Sequence, residues 1–469
     1  MNHSPRTIAI IGAGFSGTSV AINLLQRSSG APLRVTLLDR APAGRGVAYA
    51  HRTYQYLLNV PAGRMSADPT QPLDFLNFAL ARYPRTTAHD FLPRSLYGDY
   101  LESRLSSAER EAAPGVQLER VCGIACALQR DSNGQGYSVR LADGRSLLAD
   151  EVVLALGNPP SEGLPGSQQL LGSAAYVADP WTGPAQFRSG ERVLVVGTGL
   201  TMADVVTAGV SASRPDVQVY AISRHGLVPP SQTALGHEPV QLDTRRLLEA
   251  ASFSTRSLFR TVRGLAAEIV GRGGDWRELM NVLRGHAPQL WQRMPARERQ
   301  RFLRHVRPYW DIHRHRLPHQ TLAELSKLRD AGKLSVHAGR IAGLERAGER
   351  VRVRWRPRGS RTYETLLVDR VINCTGPNYD PRRCQDPLLR SLLAQGLAVP
   401  DTLGLGVRTA AFGALLDAQG RRVEGLYYVG PMLRPEHWES TAVPELREHA
   451  ARLAHHLAGP VLMRTAASL

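Results

Sequence analysis

Lysine is almost missing from this 469-residue chain: Lys327 and Lys333 are the only two among 58 basic side chains, so arginine carries nearly all of the formal charge of +17. Such a bias follows from GC-rich coding, and nothing in the chain resembles a recognition helix, an RNA-binding aromatic sheet or a metal knuckle. The charge therefore does not point to a nucleic-acid partner; anionic cofactors account for part of it. Cysteine is also scarce. Cys122, Cys126, Cys374 and Cys384 show neither zinc-site spacing nor a CxxC pair, which excludes a disulfide framework and a thiol redox motif, and no metal site is expected. No apolar run reaches the ~20 residues of a membrane-spanning helix. Residues Met1 to Thr7 lead straight into an apolar strand without a cleavage region, so the expectation is a cytoplasmic protein with no membrane partner. With 43% hydrophobic, 21% charged and 6% aromatic residues, the composition is that of a globular chain of two or three domains.

What is present is a repeated strand, glycine turn and helix. Thr7 to Ile11 is a β-branched apolar run of the kind buried on both faces of a parallel sheet, and Gly12-Ala-Gly-Phe-Ser-Gly17 follows it at once. A helical pattern from Val20 to Leu25 and a second strand, Arg34 to Asp39, complete a βαβ unit. From Val116 to Gly157 the pattern alternates and reads as an antiparallel excursion. Arg192 to Val196, Gly197-Thr-Gly199 and the strand Val217 to Ser223 repeat the first unit. Residues 242–328 are rich in Arg, Leu, Ala and Glu and read as a helical insertion; strand patterns resume at Leu334 to Val336, Val351 to Trp355, Leu366 to Cys374 and Gly425 to Gly430, before a last amphipathic helix, Val443 to Leu457. The expected fold is α/β, with two Rossmann-like dinucleotide-binding domains and a helical insertion. The expected boundaries are 1–157 and 330–469 for the first domain and 158–329 for the second.

Each part of the first motif has a chemical reason. Gly12 permits the tight turn, Gly14 lets backbone approach a pyrophosphate, Gly17 allows close helix packing, and Asp39, ending the next strand, accepts hydrogen bonds from an adenosine ribose. The second motif has a larger residue where the third glycine would stand. Its following strand ends in Ser223-Arg224 instead of an acid, and a hydroxyl and a guanidinium there suit a 2′-phosphate, favouring NADPH over NADH. Two dinucleotide units in one chain imply a flavin reduced by a nicotinamide.

With Gly44 to Tyr49, Leu57 to Ser66, Leu92 to Tyr100, Val153 to Gly157, Val371 to Gly376 and Gly425 to Gly430 in this order, the chain resembles the two-dinucleotide flavoproteins that include the N-hydroxylating and class B monooxygenases. The resemblance implies FAD and NADPH as cofactors. It places Gly46, Asn59 and Ser66 along the flavin, Gly157 and Gly376 at turns near the cofactors, and Gly430 by the FAD phosphates. Thr441, at the start of the last helix, would aim N–H groups at the flavin N1 edge. The implied activity is transfer of one oxygen, from O₂ added at flavin C4a, to a nucleophilic nitrogen or sulfur of a small molecule such as an amino acid or amine. A reductase acting on an organic acceptor and a non-catalytic nucleotide-binding regulator are the alternatives. The stretch Tyr176 to Gly183 lacks the class B fingerprint, which argues against Baeyer–Villiger chemistry, and Cys122 and Cys126 read as core positions on one strand of the excursion. No side chain is assigned as a general base. Trp310, His313 and Arg316, at i, i+3 and i+6, could share one helix side and face a carboxylate substrate, or the helix could be a solvated packing element.

Overall fold

The structure, a computed structural model, describes every residue except 1–4, 29–30, 42–43, 53–55, 132–133, 135, 183–185, 211–215, 233–242 and 460–469. Gly183 and Leu242, the end of the fingerprint region and the expected start of the insertion, lie outside the described residues, as do the first four positions. The chain divides into one unit of residues 1–52, 60–159 and 379–469 and a second of residues 53–59 and 160–378. In the first run come β1 (Arg6–Ile11), α1 (Phe15–Arg27), β2 (Leu33–Asp39), α2 (Gly46–Tyr49), α3 (Asp74–Leu80), α4 (Arg94–Arg110), β3 (Val116–Cys122), β4 (Ala125–Arg130), β5 (Tyr137–Leu141), β6 (Ser146–Ala149) and β7 (Glu151–Leu154). Next are β8 (Tyr176–Val177), β9 (Arg192–Val196), α5 (Leu200–Gly209), β10 (Gln218–Ser223), α6 (Thr244–Phe253), α7 (Thr255–Gly271), α8 (Trp276–Arg293), α9 (Ala296–Arg301), α10 (Arg307–Arg314), α11 (His319–Asp330), β11 (Leu334–Ala347), β12 (Arg350–Pro357), β13 (Glu364–Val368) and β14 (Arg370–Asn373). The chain then returns to the first unit with α12 (Pro387–Ala394), β15 (Ala414–Leu416), β16 (Arg422–Tyr428) and α13 (Val443–Ala458).

The first unit is built on a six-stranded sheet ordered β15-β16-β7-β1-β2-β3, parallel except for β15. β1 is apolar and buried from Ile8 to Ile11 because both of its faces are covered there. Ile8 and Ile10 pack with Val20, Leu24, Leu453 and Leu457 of α1 and α13, while Ala9 and Ile11 pack with Leu128, Tyr137 and Val139 of the small antiparallel sheet β4-β5-β6. Truncating one such buried aliphatic chain costs about 2–5 kcal/mol. The excursion is shorter than the sequence pattern implies: β3 pairs in parallel with β2 and belongs to the main sheet. Its alternation arises because β3 is the sheet's outer strand, and only β4 to β6 are antiparallel.

The second unit holds a seven-stranded sheet ordered β13-β12-β11-β10-β9-β14-β8. Its parallel core runs from β11 to β8, and β11, β12 and β13 form an antiparallel meander at one edge. This moves the expected boundary. Residues 330–378 join the second unit, because β11 pairs with β10 and β14 with β9, and the chain re-enters the first unit at Tyr379. The helical insertion is present, but α11 is not part of it: Leu325 packs in the same core as Val193, Val205 and Val219, so α11 is the crossover helix into β11. Asp243, Ser254 and Asp275 cap α6, α7 and α8 through side-chain oxygens that accept first-turn N–H groups.

Candidate nucleotide-binding sites

Both units place a glycine turn where the strand order reverses, β1 standing between β2 and β7 and β9 between β10 and β14. The carboxyl ends of the strands at such a switch point form a crevice for ligands. The two turns are built alike. Gly12 has φ +106° and Gly197 φ +110°; a Cβ on Gly12 would lie 2.2 Å from the carbonyl oxygen of Ala155, after β7, and one on Gly197 2.2 Å from that of Cys374, after β14. A Cβ on Gly17 would fall 1.8 Å from the Gly12 oxygen. The protein's own backbone forces glycine at these three positions.

Gly14 and Gly199 differ in kind. Both have extended backbone, open to any residue, and cap their helices without a side-chain hydrogen bond, leaving first-turn N–H groups of α1 and α5 for an external acceptor. A Cβ on Gly14 would meet only Gly46 Cα, at an ordinary 3.6 Å, and one on Gly199 would meet nothing within 4 Å. The fold leaves these two spaces open, as backbone approach by an anion would require.

The ends of the following strands tie down each loop. In the first unit Ala13 N–H donates to Asp39 Oδ2 (2.6 Å) and Ala41 N–H to Asp39 Oδ1 (3.2 Å). A carboxylate has about four acceptor sites, so capacity for a ribose hydroxyl remains. Gly44 N–H donates to the Ala13 carbonyl (3.0 Å), laying the 44–49 segment over the loop. Gly46, at φ +53°, passes so near that a Cβ on it would sit 2.8 Å from Gly14 Cα, and Arg45 anchors the segment on α4 through Glu102, Asp99 and the Ser95 carbonyl.

In the second unit Thr198 donates to the Leu227 carbonyl, so the Ser223 hydroxyl donates to Thr198 Oγ1 (2.8 Å) while accepting from Gly226 N–H (3.0 Å). Ser223 is therefore bonded within its own loop. Arg224 is exposed beside His225. Burial and the positive charges of Arg358, Arg224 and Arg340 hold the His225 imidazole below the usual histidine range. Arg340 and Arg358 are far away in the sequence, and only the pairing of β11 with β10 and β12 brings their backbone to this end of β10. Where the third glycine would stand, Met202 is fully buried among Val193 and Val219.

Other expected residues take different places. Ser66 is buried, its hydroxyl bonded to the Asp68 carbonyl and N–H and its carbonyl accepting from Arg447 Nη1 (3.0 Å), so it ties its turn to α13. Asn59 falls in the second unit, where its carbonyl accepts from Gln232 Nε2 (2.8 Å), not in the first as the expected boundary had it. Gly376, at φ +85°, likewise turns within the second unit, after β14, whereas Gly157, at φ +68°, turns in the first. Gly430, at φ +137°, leaves β16 for a buried loop in which the Arg434 guanidinium lies 4.2 Å from the ring centre of Trp438 and 5.1 Å from that of Tyr379. Thr441 precedes the helix: α13 starts at Val443 with Ala442 as its cap, and Thr441 N–H is taken by the Glu439 carbonyl (2.7 Å). The N–H groups at the start of α13 are therefore those of Ala442 and Val443.

Trp310, His313 and Arg316 do not share one side. α10 ends at Arg314, and Arg316 lies beyond it, buried, with Nη2 donating to Asn281 Oδ1 (3.2 Å) and its pKa pulled down to about 10 by burial and by Arg314 and Arg277. His313 meets Trp276 edge-on, and Trp310 packs on Phe302. A π-turn, Phe302–Val306, leads into α10, since Pro308 has no N–H for the fourth carbonyl before it. Cys122 ends β3 and is exposed, and Cys126 is half-buried on β4 in another sheet; neither is a core position, and they do not sit on one strand.

Two open glycine cradles at two switch points give the chain the architecture of a two-dinucleotide-binding fold. Residues 9–159 match the FAD-NAD(P)-binding family model. Along nearly its whole length the chain has the fold of flavin-dependent N-hydroxylating monooxygenases. It is similar to the ornithine N-hydroxylase of Kutzneria sp. 744, solved with reduced FAD, NADP⁺ and L-ornithine (TM-score 0.60, 16% identity, 97% of this chain and 98% of that one). It is also similar to the L-lysine 6-monooxygenase of Pseudomonas syringae (TM-score 0.61, 17%, 97% and 99%) and the ornithine hydroxylase of Pseudomonas aeruginosa (TM-score 0.61, 15%, 97% and 98%). Among curated sequences it is 28% identical over 239 residues to the tRNA 5-methylaminomethyl-2-thiouridine biosynthesis bifunctional protein MnmC of Chromohalobacter salexigens, covering 39% of this chain. The match spans only a third (33%) of that protein's length.

Proposed function

We propose that this chain is an FAD-dependent monooxygenase that takes its electrons from NADPH and hydroxylates the primary amine of a small molecule, such as an amino acid or a diamine. The observation that carries the reading is the pair of glycines, Gly14 and Gly199, that the fold itself does not require, one at each switch point. The fold shared with ornithine and lysine hydroxylases supports the reaction class.

In this reading Gly14 and the first-turn N–H groups of α1 hold the FAD pyrophosphate, Asp39 holds the adenosine ribose, and Gly46 keeps the covering segment close. The N–H groups of Ala442 and Val443, with the positive end of the α13 dipole, favour negative charge on the pyrimidine edge of the flavin. Gly199 and the first turn of α5 receive the NADPH pyrophosphate, and Arg224 lies toward its 2′-phosphate. Bound flavin supplies hydride acceptance and oxygen activation. The balance is R–NH₂ + O₂ + NADPH + H⁺ giving R–NHOH + NADP⁺ + H₂O. Cys122 and Cys126, on separate sheets, offer no dithiol relay for disulfide reduction.

The test is oxygen uptake with NADPH across lysine, ornithine, cadaverine and related amines, with assay of hydroxylamine product. Substrate-stimulated uptake yielding one hydroxylamine per NADPH is expected. Stoichiometric anaerobic reduction of an organic acceptor, with no hydroxylamine, would replace the proposal with the reductase reading.

A further inference from the structure

The arginines at the edge of the second sheet are not used alike. Along β12 the outward positions are Arg350, Arg352, Arg354 and Arg356, alternating with buried Val351, Val353 and Trp355. Arg350 pairs with Asp369 (3.0 Å) and Arg352 with Glu345 (3.7 Å), while Arg354 and Arg356 lie over the ring of Tyr363 at 4.9 and 5.9 Å. These four have partners. Arg340 and Arg358, at the end of the meander next to β10, have no carboxylate partner among the described residues, and neither has Arg224.

Backbone pairing sets where these three converge. Ser223, the last residue of β10, is in register with Ala338 of β11, and Arg358 N–H donates to the Ala338 carbonyl (2.8 Å). Gly339 is opposite Pro357, and Arg340 opposite Arg356. Arg358 thus starts from the residue facing Ser223, and Arg340 lies two residues beyond it on β11. Gly226 turns so tightly against this point that a Cβ on it would lie 3.1 Å from Ala338 N. His225, next to Arg224 in the chain, has its Nδ1 buried and unpartnered, and after burial the positive charges of Arg358, Arg224 and Arg340 in that order hold its imidazole below the usual histidine range. Like charges gathered without counter-ions are unfavourable unless an anion joins them.

We propose that Arg340 and Arg358, on the β11–β12 hairpin, form with Arg224 a three-guanidinium clamp for the 2′-phosphate of the nicotinamide cofactor, and that the hairpin arginines carry most of the discrimination against NADH. This rests on the NADPH reading and names the residues that decide cofactor choice. Arg224 stands on an exposed turn, whereas Arg340 lies within the β11–β12 ladder and Arg358, just past β12, is tied to β11 by its N–H on the Ala338 carbonyl, which restricts their direction and lowers the entropy lost on binding.

The test uses the full-length FAD-loaded protein and two probes, 2′,5′-ADP and ADP, titrated calorimetrically. The unmodified protein binds 2′,5′-ADP about 100-fold more tightly than ADP. Arg340→Gln/Arg358→Gln lowers 2′,5′-ADP affinity about 100-fold and brings it level with ADP, whose own affinity moves less than about twofold and so reports an intact fold. Arg224→Ala leaves a clear preference for 2′,5′-ADP. The ratio of kcat/KM for flavin reduction by NADPH and NADH follows the same order. A double variant that keeps the wild-type ratio, or an Arg224→Ala protein that loses it entirely, overturns the clamp. Equal binding of both probes by the unmodified protein instead overturns the NADPH reading on which the clamp stands.

Discussion

The two glycine turns are copies in geometry and opposites in the chemistry of their neighbouring segments. Gly12 and Gly197 are held by the same clash with a carbonyl from the strand across the switch point, at the same 2.2 Å. Beyond that the units diverge. The first packs its helix onto the turn through Gly17, while the second buries Met202 in its core. The first ends its next strand in a carboxylate, and the second in a hydroxyl bonded inside the loop, followed by His225, on which three arginine charges act. In the proposed reading the turn is the common device for receiving a pyrophosphate, and the end of the neighbouring strand decides which nucleotide is accepted.

The largest break in this comparison is expected at the forced glycines. Gly17→Val would drive a side chain into the Gly12 carbonyl and cost about 3–5 kcal/mol, seen as a drop in denaturation midpoint or as insoluble protein, whereas Met202→Ala in the other unit costs about 2–5 kcal/mol as a cavity. Gly14→Val is expected to leave the fold near wild-type stability while the protein purifies without flavin absorbance, since only the cradle is filled. Retained FAD in that variant would show that the pyrophosphate lies elsewhere.

A smaller contrast concerns two histidines. In α13 of the first unit, burial, with added repulsion from His437 and Arg452, pulls His449 down to about 3. It is neutral in the fold, while the unfolded chain takes up its proton near pH 6.5; its contribution to stability is complete above that pH and is lost as pH falls toward the folded value, at about 1.4 kcal/mol per pH unit. Between pH 7.5 and 5 the unmodified protein should lose about 2 kcal/mol more than His449→Gln in urea unfolding. His225 in the second unit is lowered by burial and by three guanidinium charges. Its titration by NMR should therefore move up a few tenths of a pH unit on adding about 0.5 M salt, and that of His449 less.

The parts of this molecule that could be read from sequence are those fixed by neighbours in the chain. The turns at Gly12 and Gly197, the pairing strands ending in Asp39 and Ser223, and the final helix are local patterns. What could not be read depends on partners far along the chain. Val116–Cys122 alternates as an antiparallel strand would, yet pairs in parallel with β2, because an outer strand with one exposed face has the same pattern. His319–Asp330 resembles its helical neighbours, and only its packing on Val205 and Val219 makes it the crossover into β11. Arg340 and Arg358 are two among many arginines until the sheet register sets them beside Arg224.

The claim that the two turns hold two different nucleotides meets its most direct test in Gly199→Val, where the added side chain enters space that no protein atom occupies. Mixed anaerobically with NADPH in a stopped-flow spectrometer, this variant should arrive yellow, with a full complement of FAD, and its flavin should be reduced at least about 100-fold more slowly than in the unmodified protein. A colourless variant, or one reduced at the wild-type rate, would contradict the assignment of the second turn to NADPH.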